Sequence, residues 1–343
     1  MMPLALDSFF ERYLPPLEDE MLQVLSAFET LPFGGLLGML RYHLGWADEH
    51  FRPVRTSAGK RARPVLCLLV CEACGGDWQA ALPAGAAVEM IHNFSLIHDD
   101  IEDNDRTRRG RPTVWTLWGQ PQAINAGDTL FALAYLALLR LSEHDVSPES
   151  VVEATQIIGQ TCVQLTGGQY LDMAFETRAE VSVEEYLAMV KGKTAALIAC
   201  ASELGALVAG VSQDQREHLR AFGHYLGMTF QMTDDILGIW GDPALTGKPV
   251  GSDIIRCKKT LPILYGLEQE PALGTLLAQG ELSEQDVERA TQLLLEAGSR
   301  EYTERLAREY HDCAIAALEV TGLDTPTADV LRELAQVLLE RQK

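Results

Sequence analysis

The 343-residue sequence contains little of what marks several large classes of protein. Aromatic residues make up only 7% of it, and its 7 cysteines are an odd number without a framework-like spacing. The cysteine usage therefore indicates a reducing cytoplasm rather than a disulfide-bonded secreted domain. Strand-type alternation of apolar and polar residues is nearly absent, and Ala and Leu are abundant, which predicts helices rather than sheets.

Basic residues are scarce relative to acidic ones, with 28 Lys and Arg against 49 Asp and Glu and a formal net charge of −21. This balance argues against a nucleic-acid partner and against electrostatic binding to anionic membranes. No uninterrupted apolar stretch reaches the ~18 residues of a membrane span, because 195–211 contains Glu203 and 129–141 is too short. The N-terminal residues lack the basic start and apolar run of a signal peptide. We therefore expect a soluble, cytoplasmic protein without a membrane span.

Apolar residues recur at helical spacing along most of the chain, and serines such as Ser182 and Ser283 mark helix starts. This pattern predicts about ten to twelve helices. The segments 84–103, 126–141 and 186–211 are hydrophobic on most sides, which is typical of helices buried in a bundle. No Pro- or Ser-rich linker separates domains. We expect one all-α domain over 1–343, with 1–30 as a peripheral helix and 273–343 as C-terminal helices.

Two apolar helical segments carry paired aspartates, Asp99-Asp100 with Asp103, and Asp234-Asp235. Carboxylates rarely occur in such surroundings unless a cation meets them. Asp99 and Asp103 lie one turn apart on the same helix face, so the pair suits a hard divalent ion, most simply Mg²⁺. A solvated helix end is the alternative, but it does not account for aspartates that directly follow an apolar run.

Basic residues follow each acidic segment, at Arg106, Arg108, Arg109 and Arg111 after the first, and at Lys248, Arg256, Lys258 and Lys259 after the second. Two helix ends of this kind, facing each other across one cavity, would form a two-sided metal site. Metal-binding carboxylates beside cations that can bind phosphate imply a diphosphate substrate.

A further basic pair, Lys60 and Arg63, precedes an apolar helix that begins near Val65. Two residues three positions apart can converge on one anion, and Arg63 can bind phosphate oxygens through two parallel bonds. An ordinary basic surface turn explains the pair equally well on spacing alone. His92 lies two helical turns before Asp99 on the same face, and we interpret it as a phosphate-binding donor, with a core histidine as the alternative.

These motifs, in unbroken order over roughly residues 30–270, resemble those of the trans-isoprenyl diphosphate synthases, or polyprenyl synthetases. The first piece is similar to the family's isopentenyl diphosphate clamp, and the next two to its first aspartate-rich motif and its diphosphate-binding arginines. The matching pieces are Gly59-Lys60-x-x-Arg63-Pro64, Asp99-Asp100-x-x-Asp103, Arg108-Arg109-Gly110-x-Pro112-Thr113, Lys193-Thr194, Phe230-Gln231-x-x-Asp234-Asp235, Gly247-Lys248 and Lys258-x-Thr260-Leu261.

The chain departs from the family pattern in the second acidic motif. Gly238 stands where a third aspartate is usual, and Cys257 stands where a glycine normally precedes the lysine. The resemblance implies that Asp234 binds metal. It leaves Asp235 as a further ligand or, like Asp242, as a group that acts through water or has no role.

The resemblance implies an isoprenoid-synthase-type helical bundle around a deep central cavity, usually in a homodimer. The implied reaction is the Mg²⁺-dependent, head-to-tail condensation of isopentenyl diphosphate with dimethylallyl, geranyl or farnesyl diphosphate. Mg²⁺ held by Asp99, Asp103 and Asp234 would offset charge on the departing diphosphate, together with Arg108, Lys193 and Lys258. The residues implied to bind the substrates are Lys60, Arg63, His92, Arg108, Arg109, Lys193, Thr194, Gln231, Lys248 and Lys258.

The residues one turn before Asp99 are expected to lie beneath the metal site, where the growing tail passes. Phe94 is bulky there, Ser95 is small, and no two-residue insertion widens the first motif. This pattern is similar to that of short-chain synthases that make a twenty-carbon product. We therefore expect a geranylgeranyl diphosphate synthase, in which Phe94 and Ser95 set the chain length.

Three other functions compete with this interpretation. A farnesyl or longer-chain synthase would use the same motifs. A terpene cyclase shares the helical fold and an acidic helix but does not need a second diphosphate clamp, so Lys60, Arg63 and Arg109 argue against it. A non-catalytic partner subunit is modestly favoured by Gly238 and Cys257, and the intact first motif argues against it.

Overall fold

A computed structural model describes residues 4–56, 59–242, 250–280 and 282–340. The described backbone is helical almost throughout, which confirms the all-α prediction. The α-helices are, in chain order, α1 (Leu4–Ser26), α2 (Gly34–His43), α3 (Ala62–Ala73), α4 (Leu82–Glu102), α5 (Val114–Trp118), α6 (Gln120–Leu139), α7 (Pro148–Thr177), α8 (Val183–Val190), α9 (Ala196–Val208), α10 (Gln213–Trp240), α11 (Ser252–Ile255), α12 (Leu261–Gln269), α13 (Pro271–Leu277), α14 (Glu284–Glu296), α15 (Ser299–Val320) and α16 (Pro326–Glu340).

The described helices outnumber the ten to twelve expected because several are too short to leave a periodic pattern. Helices α5, α11 and α13 contain 5, 4 and 7 residues. Short 3₁₀ helices occur at Trp78–Ala81 and Arg140–His144, and a π-helical segment, Lys191–Ala195, joins α8 to α9. The helix starts marked by Ser182 and Ser283 are confirmed, since each serine forms a capping box with the acidic residue three positions later.

The chain forms two compact units. The first comprises Met1–Gly159, Cys200–Arg216 and Thr325–Val330. The second comprises Gln160–Ala199, Glu217–Asp324 and Leu331–Lys343. Neither unit is a continuous piece of sequence, and each boundary after residue 150 falls inside or beside a helix rather than in a linker. Because no linker marks these boundaries, the division could not be predicted from the amino-acid composition along the chain.

In the first unit, α4 packs along α6 and also contacts α1 and α3. Helix α1 buries one face, because Tyr13, Leu17, Met21 and Leu25 recur every fourth residue and are fully buried. Helix α3 is buried almost entirely, including Cys67 and Cys71. Burial of each such apolar side chain contributes about 1.5–3 kcal/mol, so this packing holds the functional end of α4 in place.

A small hairpin follows α4, where the sequence predicted only a break. Strands β1 (Thr107–Arg108) and β2 (Arg111–Pro112) pair antiparallel. Both residues of the connecting turn, Arg109 and Gly110, have positive φ, at 53° and 74°. This is the geometry of a type I′ turn, whose twist matches that of the paired strands. The hairpin holds Arg108 and Arg109 at the end of α4 in a defined conformation.

The second unit contains two apolar clusters. The first joins the C-terminal part of α7 to α8, α10, α12 and α15 through Phe175, Tyr186, Met228, Met232, Leu264 and Ala307. The second joins the end of α10 to α11, α12, α13 and α14 through Ile239, Ile254, Ile263, Leu273 and Leu294. Helix α10 contributes to both clusters, so its acidic segment is held on both sides.

Within the described part of the chain, one helical stretch, 120–144, is long and apolar enough to cross a membrane by length and composition alone. This match is weak evidence, because the core helix of a soluble protein passes the same test. Buried in this stretch are Ala123, Ala126, Leu130 and Leu133, which recur at helical spacing as they do on the core face of a helix.

Candidate functional site

The first acidic segment ends α4 in the first unit. The Asp103 amide donates to the Asp99 carbonyl oxygen at 2.8 Å, so helical geometry continues through Asp103. The two carboxylates are therefore one turn apart on one face, as the sequence predicted. The Asp99 side chain is partly exposed and lies 3.5 Å from Arg108 Nη2. The pair is placed to offer hard oxygen donors to a cation.

Asp100 has a different environment from Asp99. Its side chain is buried, and Oδ1 accepts a hydrogen bond from Arg108 Nε at 2.6 Å. Burial raises the pKa of Asp100 to about 6, although the positive charge of Arg108 opposes this rise. Asp100 therefore orients the Arg108 guanidinium, which leaves Asp99 and Asp103 as the carboxylates of this segment that can bind metal.

The predicted diphosphate clamp is brought together in the first unit. Arg63 Nη1 lies 3.3 Å from His92 Nε2. Burial, followed by the charges of Arg63 and Arg109, lowers the pKa of His92 well below its usual value, so the neutral ring accepts from Arg63. A Cβ placed on Gly59 would lie 2.6 Å from Arg109 Nη2, so this guanidinium covers the glycine backbone next to exposed Lys60.

Sequence reasoning missed a buried carboxylate beneath this clamp. Glu89 is 2% exposed and accepts from Asn93 Nδ2 at 2.9 Å. Burial raises the pKa of Glu89, while Arg61, Asn93 and then Arg63 act in the opposite direction. Glu89 is therefore the counter-charge that stabilises several arginines before any anion binds. Its only sequence signal was one acidic residue in a helix that is hydrophobic on most sides.

Arg61, which lies between the two clamp residues in sequence, has a structural role. Its side chain is buried, bonds Glu18 Oε1 at 2.9 Å and lies 4.0 Å from Glu89 Oε1. It also donates to the carbonyl oxygen of Leu44 at 3.3 Å. Its backbone is left-handed, with φ of 50°, at the N-cap of α3. Arg61 thus anchors the start of α3, with Lys60 just before it and Arg63 in its first turn.

Of the two residues predicted to control chain length, Phe94 belongs to an aromatic group and Ser95 does not. The Phe94 ring lies 5.2 Å from the His98 ring and 5.3 Å from Phe131, which in turn lies 5.3 Å from Tyr135. Ser95 Oγ donates to the His92 carbonyl oxygen at 2.8 Å. Phe131 and Tyr135 are one turn apart on α6, and no local pattern in the sequence linked them to Phe94.

In the second unit, Lys193 lies in the π-helical segment and forms an ion pair with Asp172 of α7. The two elements touch backbone to backbone at Gly168. A Cβ on Gly168 would lie 2.1 Å from the Lys193 amide nitrogen. A Cβ on Gly192 would lie 2.6 Å from the Gln164 carbonyl oxygen. This close approach places Lys193 next to Asp172. Asp172 was not among the residues predicted from the sequence.

Gly168→Ala should therefore destabilise the protein by about 1–3 kcal/mol, because the obstructing atoms belong to the backbone and cannot rotate away. Gly167→Ala is the matched control, since nothing lies within 4 Å of its Cβ position. That variant should gain up to about 1 kcal/mol from the better helix propensity of alanine. Urea-induced unfolding monitored by circular dichroism measures both. Equal stability of the two variants would rule out the close approach.

A chain of hydrogen bonds connects the other predicted residues of the second unit. Thr194 Oγ1 donates to Gln231 Oε1 at 2.8 Å, and Gln231 Nε2 donates to Asp235 Oδ1 at 2.9 Å. Asp235 Oδ2 accepts from Tyr186 OH at 2.5 Å and from the Leu261 amide at 3.2 Å. The buried Asp235 carboxylate thus ties α8, α10 and α12 together.

Asp234 and Asp235 are adjacent but differ in exposure. Asp234 is exposed, and Asp235 is 1% exposed. Burial raises the pKa of Asp235 to about 7, against the effect of its hydrogen bonds from Tyr186, Gln231 and Leu261. Both Asp235 oxygens already accept hydrogen bonds, so Asp234 is the better placed of the two to bind a cation.

Asp253, which the sequence analysis did not single out, lies at the position of the missing third aspartate. A Cβ on Gly238 would lie 2.0 Å from Asp253 Oδ2. Gly238 is one turn after Asp234 on α10, so the two positions share a face. Ser252 Oγ donates to the Gly238 carbonyl oxygen at 3.1 Å and joins α11 to this turn. Because Gly238 has no side chain, the Asp253 carboxylate can occupy the position next to its Cα.

The lysines predicted after the second acidic segment differ in their surroundings. Lys258 is exposed, whereas the neighbouring Lys259 donates to the carbonyl oxygens of Arg178 and Ala179 at 2.9 and 3.3 Å. Cys257 has a φ of 51°, a conformation that normally favours glycine. Lys248 lies outside the described residues, so its predicted role stays a prediction.

Among the described residues, no group of three or more His, Cys, Asp or Glu side chains forms a metal site by itself. Asp99 and Asp103 belong to the first unit, and Asp234 and Asp253 to the second. All four offer only oxygen atoms, which is the donor chemistry that Mg²⁺ prefers. The residues present therefore fit a magnesium ion in their chemistry.

Comparison with known proteins identifies one family model and relatives that agree with it. The family model described as polyprenyl synthetase matches residues 45–294. Geranylgeranyl diphosphate synthase of Mycobacterium tuberculosis (strain ATCC 25618 / H37Rv) is 43% identical over 312 residues, which cover 90% of this chain and 87% of that protein. The (2E,6E)-farnesyl diphosphate synthase of the same strain is 40% identical over 312 residues, covering 89% and 86%.

The structural comparison agrees over nearly the whole chain. The crystal structure of polyprenyl synthetase from Streptomyces coelicolor A3(2) has a TM-score of 0.87 and 37% sequence identity. The alignment covers 97% of this chain and 99% of that one. The matched segment 45–294 also contains all the motifs on which the resemblance was based, from Lys60 to Lys258. This chain belongs to the polyprenyl synthetase family.

Proposed function

We propose that this protein condenses isopentenyl diphosphate with an allylic diphosphate and releases geranylgeranyl diphosphate. The observation that supports the proposal is the presence of two separate groups of basic side chains in the first unit. Arg63 and His92 form one set with Arg109, and Arg108 lies beside Asp99 and Asp100 in the other. A reaction that joins two diphosphate substrates needs both sets, whereas a cyclase needs one.

Asp99, Asp103 and Asp234 would hold Mg²⁺, with Asp253 as a further oxygen donor at the Gly238 position. When bound, the metal supplies charge stabilisation for the diphosphate that leaves the allylic substrate. We assign Asp235 a positioning role instead, because it holds Gln231 and the first turn of α12 through its three hydrogen bonds.

The residues of the chain contribute mainly by orienting charge. Asp100 fixes Arg108, and Asp172 fixes Lys193, so both cations are pre-arranged to stabilise the departing diphosphate. Lys60, Arg63 and Arg109 hold the diphosphate of isopentenyl diphosphate, so its alkene is oriented for attack. The allylic carbon–oxygen bond breaks, a carbon–carbon bond forms, and the released diphosphate accepts the proton that the product loses.

Homodimer formation is supported by apolar side chains on the surface of the second unit. Val163 and Tyr170 of α7 are 73% and 71% exposed and lie two turns apart on one helix face. Met173, 41% exposed, follows within one turn. Large apolar groups that recur on one exposed face are typical of a protein interface, and we propose a second copy of this chain as the partner.

The twenty-carbon product is favoured by the residues just before Asp99. The small Ser95 leaves space for the tail of the product. The ring of Phe94, one residue further from Asp99 and packed against Phe131, limits the length of that tail. A farnesyl product is the second candidate, because a farnesyl diphosphate synthase is among the relatives of similar identity.

Product analysis tests this function directly. The purified protein is incubated with Mg²⁺, labelled isopentenyl diphosphate and each of dimethylallyl, geranyl and farnesyl diphosphate, and the products are separated by chain length. We expect a twenty-carbon prenyl diphosphate from all three primers. A fifteen-carbon end product would favour the farnesyl alternative, and a cyclic hydrocarbon would favour a cyclase. No turnover with any primer would favour a partner subunit.

A further inference from the structure

A pocket lined by basic residues lies wholly within the second unit, among α7, α8, the π-helical segment and α10. Its volume is about 590 Å³, which is within the usual range for small-molecule sites. It is lined by none of the aspartates or cations assigned above to prenyl transfer. The pocket therefore needs an explanation of its own.

Three basic side chains line this pocket. Arg220 and His224 are one turn apart on α10, and Lys191 begins the π-helical segment. Burial and then the charges of Lys191 and Arg220 lower the pKa of His224, which means that both cations act on the imidazole. Such a concentration of positive charge is unusual on a chain whose net charge is −21.

The π-helical segment contains two lysines, Lys191 and Lys193, which have different neighbours. Lys193 bonds Asp172 of α7, and Lys191, two residues earlier, lines the basic pocket. Residues two apart on a helix point to nearly opposite sides, so the segment directs one lysine to each site. The aliphatic part of a surface lysine often only packs on apolar neighbours. Lys191, in contrast, lines the same pocket as Arg220 and His224 of α10.

Apart from Gln164 and Tyr225, the other lining residues are small or apolar. Gly167 and Gly168 leave backbone accessible, Ala188 and Ala221 take little space, and Leu171 packs against the apolar cluster of the second unit. A ligand that fits this lining has a strongly anionic head and can carry an apolar tail. A lysine, an arginine and an imidazole together match the charge of a diphosphate better than that of a monoanion.

We infer that this pocket is an additional diphosphate-binding site, in which Lys191, Arg220 and His224 bind the head group outside the residues proposed to bind the two substrates. The choice of a diphosphate among anions rests on the proposed function, which produces both free diphosphate and prenyl diphosphate. A ligand bound here occupies the contact region of α7, α8 and α10, the three elements that position Lys193 and Gln231.

Calorimetric titration in EDTA tests the site without turnover, so its result is independent of the proposed function. The Arg63→Gln background weakens the clamp, and the two probes are inorganic diphosphate and geranyl S-thiolodiphosphate. We expect Lys191→Gln with Arg220→Gln in this background to weaken binding at least tenfold. A preference for the geranyl probe identifies a prenyl diphosphate as the ligand, and equal binding identifies the free anion.

The matched control removes two exposed arginines elsewhere in the second unit, Arg305→Gln with Arg308→Gln on α15. This control should keep the affinity of the Arg63→Gln background. Lys191→Arg, which keeps the charge, should also keep it. If removing Lys191 and Arg220 changes the affinity no more than the control does, while thermal unfolding shows all variants folded, the proposed diphosphate site in this pocket is refuted.

Discussion

Prenyl transfer is expected to fall by about 10²–10³-fold when either Asp99 or Asp103 is replaced by asparagine. The change keeps the shape of the side chain and removes its charge, so the affinity for Mg²⁺ falls and the departing diphosphate loses stabilisation. The double variant should lose no more than a further small factor, because the two carboxylates act on the same ion. Initial rates over a range of Mg²⁺ concentrations, with both substrates saturating, measure the effect.

Asp128→Asn is the matched control for this experiment. Asp128 lies on α6, its side chain is 67% exposed, and its carboxylate lies 3.7 Å from His98 Nε2. Its replacement removes one negative charge near α4 without touching the motif, and the rate should stay within about twofold of the wild type. A wild-type rate in the Asp99 and Asp103 variants would contradict the proposed role of these carboxylates in the reaction.

The second large effect is expected on the product rather than on the rate. Phe94→Ala should lengthen the product beyond twenty carbons, because it removes the ring that we propose meets the tail below Asp99. Phe131, 5.3 Å from Phe94, then becomes the next obstacle, so the new products should remain limited in length. The reciprocal change, Ser95→Phe, should shorten the product to fifteen carbons. Chromatography of the dephosphorylated products measures both shifts.

Loss of a buried aromatic ring also destabilises the fold, by about 3–5 kcal/mol for a phenylalanine-to-alanine change, so a matched control is needed. Phe10 on α1 and Phe94 are both 8% exposed. Phe10→Ala should cost similar stability and leave the product length unchanged. Unchanged length in Phe94→Ala, or an equal change in Phe10→Ala, would remove Phe94 as the residue that limits the tail.

The sequence was most informative where one helix carries the whole signal. Asp99 and Asp103 were placed on one face by helical spacing alone, and the hydrogen bond between their backbones agrees. The capping serines and the buried central helices were likewise local features. The hairpin was missed because its type I′ turn uses Arg109, a residue that rarely adopts positive φ.

The sequence did not show which member of each acidic pair is buried. Helical spacing distinguished Asp99 from Asp100, and the resemblance favoured Asp234 as a metal ligand. Only the structure shows that Asp100 and Asp235 are buried and hydrogen bonded. Which member turns inward depends on where other helices pack, and that depends on residues far away in the chain. The same reason explains why Glu89 was overlooked.

By itself, the sequence determined the helical character of this chain, the order of its acidic and basic motifs and their shared helix faces. Helix geometry is local, so side chains three or four residues apart are related by the backbone alone. Only the tertiary structure decided that Asp172 holds Lys193 and that Asp253 occupies the space above Gly238. These pairs are 21 and 15 residues apart, and the packing of separate elements brings their atoms together.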